Sequence, residues 1–415
     1  MNRWVRLSAA VTAMVMIGNM QYAWTLFVSP MVADTGWKLS QVQWAFSLYI
    51  ALGTFSMPLS GWLIDRMGPR TFMAFSGLLC GIGWAGMGQT TTLTQLYVLY
   101  AIAGFGTAFG YGCAMSVALK WFPDKRGLAS GISAAGYGAG ATIFNPIFAY
   151  LIHLLHYRTT FLYTGIASGV IMIVAAQFLQ NPTAAEVATL PKPSVKAKVR
   201  RHNEEFNSGE MLRTPQFYVL YIAMLMIGIG GLMTTAQLAQ VAKSLGIGAT
   251  ALTVALSLNP LANGTSRIFW GWVSDHIGRA QTMFVAFTLQ AAALMSVVTI
   301  GKLSGTYFII CMALVYFTWG ELYTLFPAAQ TDIFGAKNSA SNYSFLYTTK
   351  AFASILGGGL AAMLFEKTGS WTIEFYGSAA LAMCAALMAI VIHKMPFPKK
   401  HTKPVEAVTP AAIGG

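Results

Sequence analysis

The sequence contains few charged residues. Asp, Glu, Lys and Arg together make up only 9% of its 415 residues, whereas soluble domains contain roughly a quarter. Hydrophobic residues make up 56%, which is more apolar surface than a soluble core can bury, so lipid must surround much of the chain. This composition excludes an ordinary soluble globular protein and predicts a membrane protein.

Paired cysteines and enzyme motifs are also lacking. The four cysteines, Cys80, Cys113, Cys311 and Cys384, fall inside apolar segments without C-x-x-C spacing, so neither a metal site nor a disulfide framework is indicated. The sequence has no P-loop and no H-E-x-x-H motif. We therefore expect a protein that is not an enzyme and that uses neither a metal nor another cofactor.

Long apolar segments are abundant instead. One helix needs about 20 apolar residues to cross a bilayer. The first apolar run continues past Phe27, so we interpret it as an uncleaved span rather than a signal peptide. The twelve candidate spans are approximately 7–30, 41–64, 71–89, 96–119, 128–152, 159–180, 216–242, 250–274, 281–301, 306–330, 340–364 and 371–393. The expected fold class is an all-α membrane protein with twelve transmembrane helices.

One long polar insert divides these spans into two groups of six. Its basic residues include Lys192, Lys196, Lys198, Arg200 and Arg201. We expect an N-terminal six-helix bundle at 1–180, a cytoplasmic linker at 181–215 and a C-terminal six-helix bundle at 216–394. The remainder, 395–415, is rich in Pro and Lys, and we expect it to be a disordered cytoplasmic tail.

Basic residues are distributed unequally between alternate loops. The net charge of +13 would suit a nucleic-acid-binding protein, but clustering of Lys and Arg in every second loop indicates membrane-flanking residues instead. With the N-terminus inside, the outer loops contain only Lys38, Arg158, Lys243, Lys302 and Lys367. We therefore expect a multi-pass protein of the bacterial inner membrane, with both termini cytoplasmic and no nucleic-acid partner.

A loop motif occurs twice. GWLIDRMGPR (61–70) follows the second span and GWVSDHIGR (271–279) follows the eighth, while WFPDKRG (121–127) is echoed by DIFGAKN (332–338). Both echoes lie on one side of the membrane, so the halves are predicted to be parallel repeats with a site at their interface.

The charged residues of these loops are candidates for gating. A carboxylate can cap a helix end or pair with an Arg, and so hold the cytoplasmic ends together. The candidates are Asp65, Arg70, Asp275, Arg279, Lys125 and Arg126. The alternative is that these loops only set the orientation of the chain in the membrane.

The loop motif resembles the signature G-x-x-x-D-x-x-G-x-R of the major facilitator superfamily, although the second copy is one residue shorter before its Arg. Further segments resemble one branch, the oxalate:formate antiporter family, in order and spacing. They are WFPDKRGLASG (121–131), AAGYG (134–138), FNSGEMLRTPQF (206–217), RIFWGWVSDHIGR (267–279), FTWG (317–320), LFP (325–327) and TKAFASILGGG (349–359). The resemblance covers essentially the whole chain and implies the major facilitator fold.

Two cations lie near the middle of predicted spans, Arg267 in the eighth and Lys350 in the eleventh. A cation at a helix centre costs about 2.5–3.5 kcal/mol on insertion scales, so we expect an anion to enter. Arg offers a planar fork for a carboxylate and Lys a point charge. In the family that the sequence resembles, the corresponding Arg and Lys bind a dicarboxylate. The alternative is an intramembrane salt bridge with Glu321, which the family replaces by Gly.

The same resemblance implies aromatic and amide residues around these cations. They are Gln21, Tyr22, Tyr111, Tyr137, Trp319 and Tyr347. Helical phase predicts that Trp319 faces the cavity and that Glu321, about 200° further round, does not, unless the helix breaks at Gly320. Tyr49 and Ile50 are a departure, because the family has a more polar Ser-Gln there.

Three functions fit these features. The first is a secondary carrier that exchanges small carboxylates by alternating access, oxalate for formate by resemblance. The second is a proton-coupled monocarboxylate symporter with Glu321 as the coupling group, and the third is an anion receptor without transport. We favour the first, with small carboxylate anions and the lipid bilayer as partners, and we expect a monomer.

Overall fold

The computed structural model describes residues 2–191 and 200–400, and within these ranges every regular element is helical. The N-terminal half contains α1 (Arg3–Tyr22), α2 (Trp24–Thr35), α3 (Leu39–Phe55), α4 (Met57–Met67), α5 (Pro69–Met87), α6 (Leu93–Trp121) and α7 (Arg126–Ala176). Two short helices follow in the linker, α8 (Ala184–Thr189) and α9 (Ser208–Met211).

The C-terminal half contains α10 (Pro215–Ser244), α11 (Ala249–Ile277), α12 (Arg279–Thr299), α13 (Gly305–Trp319), α14 (Leu322–Phe334), α15 (Ser339–Tyr347), α16 (Thr349–Ser354), α17 (Ala361–Thr368) and α18 (Thr372–Lys394). A 3₁₀ turn (Gly301–Leu303) precedes α13, and a π-helix (Ile355–Leu360) joins α16 to α17. The predicted linker residues Lys192, Lys196 and Lys198 lie outside the described residues, as does most of the predicted tail, 401–415.

The predicted spans coincide with these helices, with three kinds of difference. Four spans are divided: the first at Ala23, the second at Ser56, the tenth between Trp319 and Leu322, and the eleventh at Thr348. The second is also bent by 46°. The fifth and sixth are joined in α7, whose 51 residues would extend about 76 Å as one helix. His156 interrupts α7 with a φ of 67°, so α7 is two helices that meet there.

Hydropathy alone gives a lower number of spans than twelve. Among the described helices, eight are long and apolar enough to cross a membrane, or nine if the bent pair counts as one span. That number counts α7 once, and it omits α5 and α11. The helix α11 carries Asn259, Asn263, Arg267 and Asp275, so its polarity reflects its place at the interface between the halves.

The repeated loop motif has the same backbone conformation in both copies. Gly68 ends α4 with a φ of 88°, and Gly278 ends α11 with a φ of 102°. Residues other than Gly rarely adopt these angles, so Gly is required where the chain reverses within one residue. The next helix starts immediately, at Pro69 and at Arg279 respectively. The motif that repeats in the sequence therefore also repeats in backbone conformation.

Both ends of the described chain, the linker and these loops lie on one face of the bundle, which we call the linker side. Arg3 pairs with Asp124 at 2.5 Å, Arg6 with Glu186 at 3.8 Å, and Arg201 with Asp332 at 3.2 Å. On the opposite side of the bundle, Arg158 forms an ion pair with Asp34 at 2.9 Å. Many large apolar side chains are exposed on the outer helix faces, for example Ile82 and Leu289, as contact with lipid tails favours.

Candidate functional site

A cavity of about 740 Å³ lies between the two halves. Helices α1, α2, α6 and α7 supply one wall, and helices α10, α11 and α13 to α16 supply the other. All eight residues predicted to bind substrate line this cavity: Gln21, Tyr22, Tyr111, Tyr137, Arg267, Trp319, Tyr347 and Lys350. The fold thus gathers side chains that are distributed over more than 300 residues of sequence.

Arg267 is held rigidly at the wall of the cavity. Its side chain is buried, with the residue only 3% exposed. Nη1 donates to the carbonyl oxygen of Ala134 at 2.6 Å and Nη2 donates to Oδ1 of Asn263 at 2.7 Å, while Nε has no described partner. Ala134 belongs to α7, so this guanidinium also links the two halves.

Lys350 is held more loosely. Its Nζ donates to the hydroxyl of Tyr347 at 3.2 Å. The ring centre of Tyr323 lies 5.9 Å from this Nζ and 5.1 Å from Cζ of Arg267, so one aromatic ring contacts both cations. Within the described residues, neither cation has a carboxylate at ion-pair distance. The cavity wall therefore carries two positive charges that only neutral groups contact.

Aromatic rings and one amide form the rest of the wall. The hydroxyl of Tyr137 donates to Oε1 of Gln21 at 2.6 Å, and the Tyr111 ring packs 5.1 Å from the Tyr347 ring. The Tyr111 hydroxyl and the Trp319 indole N–H are buried without a described hydrogen-bond partner. Such donors are available to carboxylate oxygens.

Glu321 lies behind this wall. The helix breaks between Trp319 and Leu322, and Glu321 in the break is 0% exposed, with no described partner for either carboxylate oxygen. Trp319 lines the cavity and Glu321 does not, despite this break. The alternative of a salt bridge between Glu321 and either cation is not formed among the described residues.

Carboxylates of the repeated motif join the two halves on the linker side. Asp275 accepts hydrogen bonds from the backbone N–H groups of Gly127 at 3.0 Å and Leu128 at 2.8 Å, at the start of α7. Asp65 accepts one from the N–H of Ser341 at 2.7 Å, at the start of α15. Each Asp thus caps the positive N-terminal end of a helix in the opposite half.

Ion pairs reinforce these caps. Arg126 of the N-terminal half pairs with Asp332 of the C-terminal half at 2.6 Å. Arg279 pairs with Asp332 at 2.8 Å and with Asp275 at 2.7 Å. The other two gating candidates make no described contact between halves. Arg70 donates to Gln177 within its own half, and Lys125 is exposed beside α7.

Sequence reasoning missed Asp332 and Lys120 as members of this network. Lys120 pairs with Asp65 at 2.9 Å. Both residues stand two positions before the repeated phenylalanines, Phe122 and Phe334. A signal therefore existed, but the charges at these equivalent positions are opposite, so a search for identical residues does not reveal them.

Small residues permit close approach at the same two crossings. The Cα positions of Gly127 and Gly271 face each other, and a Cβ on either would overlap the carbonyl oxygen of the other. A Cβ on Gly61, the equivalent of Gly271, would overlap the backbone of Ala340. The first Gly of each motif thus allows the helix contact that the Asp then stabilises.

The described contacts close the cavity toward the linker side. Every bond between halves named above lies between Arg267 and that side. The cavity lining continues in the other direction through Thr25, Thr142, Asn145 and Ser257, of which Thr25, Thr142 and Ser257 are exposed. The structure is therefore the state that faces the opposite side.

No metal site accompanies the cavity, since the described residues contain no group of three or more His, Cys, Asp or Glu that could hold an ion.

The family model described as Major Facilitator Superfamily matches residues 9–320 and 219–414. The oxalate:formate antiporter of Oxalobacter formigenes is 41% identical over 400 residues, which cover 96% of this chain and 94% of that protein.

The chain belongs to the major facilitator superfamily, and within it to the family of the oxalate:formate antiporter. Members of this superfamily have twelve transmembrane helices in two parallel six-helix repeats, and the twelve predicted spans match that fold. The family consists of membrane transporters and not of enzymes, as the sequence predicted.

Two more distant similarities set this membership in context. Monocarboxylate transporter 13 of Bos taurus is 22% identical, with 98% of this chain and 93% of that protein covered. The solved proton:xylose symporter XylE, bound to 6-bromo-6-deoxy-D-glucose, superposes with a TM-score of 0.72 at 11% identity and covers 94% of both chains. At that identity XylE supports the major facilitator fold alone.

Proposed function

We propose that this transporter exchanges oxalate for formate by alternating access. The observation that supports this most directly is the pair of cations in one cavity, Arg267 and Lys350, without a described carboxylate partner. A second support is the 41% identity to a protein named oxalate:formate antiporter. The guanidinium fork of Arg267 binds one carboxylate and the Lys350 ammonium binds the other.

Exchange follows from the charge of the empty site. When the site is empty, the halves can reorient around two unpaired cations only at a high free-energy cost. The charges must then lie in the low-dielectric core without polar surroundings. Bound oxalate, with two negative charges, cancels that charge and permits the halves to reorient. Formate cancels half of it. Exchange of a dianion for a monoanion therefore also moves net charge across the membrane.

Reorientation requires that the contacts on the linker side break. The caps formed by Asp65 and Asp275 and the Arg126–Asp332 pair hold that side closed. The bond from Arg267 to Ala134 also joins the halves. A bound carboxylate competes with this carbonyl for the guanidinium, so substrate loosens a contact that belongs to the closed linker side.

We infer that the linker side is the cytoplasmic side of a bacterial inner membrane, because Lys and Arg are concentrated in the segments that lie there. Both termini are then cytoplasmic, and the state described here faces outward. We propose the same domain boundaries as from the sequence: bundles at 1–180 and 216–394, a linker at 181–215 and a tail at 395–415. We propose a monomer as the transporting unit.

Counterflow in proteoliposomes tests this proposal. Liposomes loaded with unlabelled acid should take up labelled oxalate and formate, while malonate, lactate and succinate serve as comparison substrates. Arg267→Gln and Lys350→Gln should each abolish oxalate counterflow. Lys302→Gln, which changes a lysine outside the cavity, should not. Full oxalate transport by both cavity variants would rule out the proposed site.

A second candidate function is proton-coupled symport of a monocarboxylate. The buried Glu321 favours it, because neither carboxylate oxygen has a described partner, as does the more distant similarity to a monocarboxylate transporter. Symport predicts uptake driven by an inward proton gradient without acid inside the vesicle, and loss of that uptake in Glu321→Gln. Uptake that always requires internal acid would leave exchange as the function.

A further inference from the structure

A small side pocket of about 20 Å³ adjoins the main cavity at Lys350. The two spaces share Gln21, Tyr111, Tyr137, Tyr347 and Lys350 as lining residues. Beyond these shared residues, the side pocket is lined by Tyr49, Ile50, Gly53, Thr54, Met57, Thr107 and Ala108. It therefore extends from the Lys350 ammonium into the N-terminal half, toward the bend between α3 and α4.

The floor of this side pocket is largely apolar. Ile50, Met57 and Ala108 supply hydrocarbon. The Thr107 hydroxyl donates to the carbonyl oxygen of Ala103 at 3.0 Å and contacts the Tyr49 hydroxyl at 3.1 Å, so two polar groups of the lining already satisfy each other. The Lys350 ammonium and the unpartnered Tyr111 hydroxyl belong to the border shared with the main cavity. The rest of the floor has few free polar groups, so it binds water poorly and suits an apolar group instead.

The volume limits what can enter. One water-sized sphere needs roughly 10–15 Å³ by the same measure, so about 20 Å³ accepts one or two non-hydrogen atoms. Tyr49 and Ile50 border the pocket, so a substitution at Ile50 changes the volume available to a substituent.

We propose that the side pocket is a substituent subsite, which takes a methyl-sized apolar group attached to the carboxylate that Lys350 binds. This inference rests on the proposed function, because it assumes a carboxylate at Lys350. The carrier then accepts short carboxylates such as acetate in addition to formate and oxalate, and the side pocket holds no tail longer than two carbons.

Competition against labelled formate counterflow tests the subsite with two opposite variants. Ile50→Ala widens the pocket, and the apparent affinity for propionate relative to formate should rise about fourfold, the value of one buried CH₂ group of about 0.8 kcal/mol. Ile50→Phe fills it, and the affinity for acetate relative to formate should fall about fourfold. Ile82→Ala, at an exposed position outside both cavities, should change neither ratio.

The outcomes separate the subsite from the proposed function. Opposite shifts by the two Ile50 variants support the subsite, because a general structural defect would not reverse its sign. Unchanged ratios in both variants would overturn it while leaving exchange intact. If wild-type protein transports neither formate nor oxalate, the proposed function fails. In that case, the shift in melting temperature of the purified protein on addition of formate, acetate or propionate measures the same relative affinities. Equal relative affinities in all variants would overturn the subsite.

Discussion

Replacement of Lys350 by Gln should change which anion the carrier accepts, more than whether it transports at all. Lys350 is free to respond to substrate, because its only described hydrogen bond goes to the Tyr347 hydroxyl. Arg267 remains fixed by Ala134 and Asn263. The variant therefore keeps the guanidinium fork and loses one unit of positive charge.

The magnitude follows from Coulomb's law. A carboxylate about 4 Å from the ammonium gains about 4 kcal/mol at an effective dielectric constant of 20. Because each 1.36 kcal/mol corresponds to a factor of ten, loss of this interaction lowers oxalate affinity about 1000-fold. Formate bound at Arg267 lies further away, and at about 6 Å it loses about 3 kcal/mol, or about 100-fold. The Arg267-bound carboxylate of oxalate shares this loss, so the factor of about 1000 is the additional loss for oxalate.

The assay compares oxalate and formate self-exchange in proteoliposomes with wild-type, Lys350→Gln and Lys302→Gln protein. We expect oxalate exchange to disappear in Lys350→Gln and formate exchange to persist at raised formate concentration, with Lys302→Gln like wild type. Equal losses for both anions would show that Lys350 acts on the fold or on reorientation rather than on the second carboxylate. The charge argument would then be wrong.

The remaining predictions concern the linker side and the buried Glu. Asp275→Asn keeps the shape but weakens the cap on α7, so a cysteine placed near Gly127 should react faster with a membrane-impermeant thiol reagent. Gly271→Ala places a methyl group against the Gly127 carbonyl oxygen, so the linker side should not close fully, and counterflow should fall at least about tenfold while expression persists. Glu321→Gln should leave oxalate:formate counterflow within about threefold of wild type if exchange is the function. A larger loss of counterflow in Glu321→Gln would contradict exchange without a coupling group. Unchanged labelling in Asp275→Asn would contradict the role of Asp275 as a cap that closes the linker side.

The sequence predicted the site best at residues whose presence is energetically unfavourable or conformationally special unless they have a role. Arg267 and Lys350 stand out because a cation in an apolar span is expensive, and both line the cavity. The loop motif stands out because Gly68 and Gly278 are required by positive φ. The gating role of Arg70 could not be tested by pattern alone, since its contact with Gln177 depends on how α5 packs against α7.

The sequence by itself determined the helical fold class, the two repeats and the two cations, because each depends on local composition and spacing. Only the tertiary structure decided which atoms meet. It placed Asp65 and Asp275 at helix ends in the opposite halves, brought Asp332 to Arg126 and Arg279, and left Glu321 behind the wall of the cavity. Contacts between halves depend on the rotation and depth of each helix against another, and no single segment encodes that geometry.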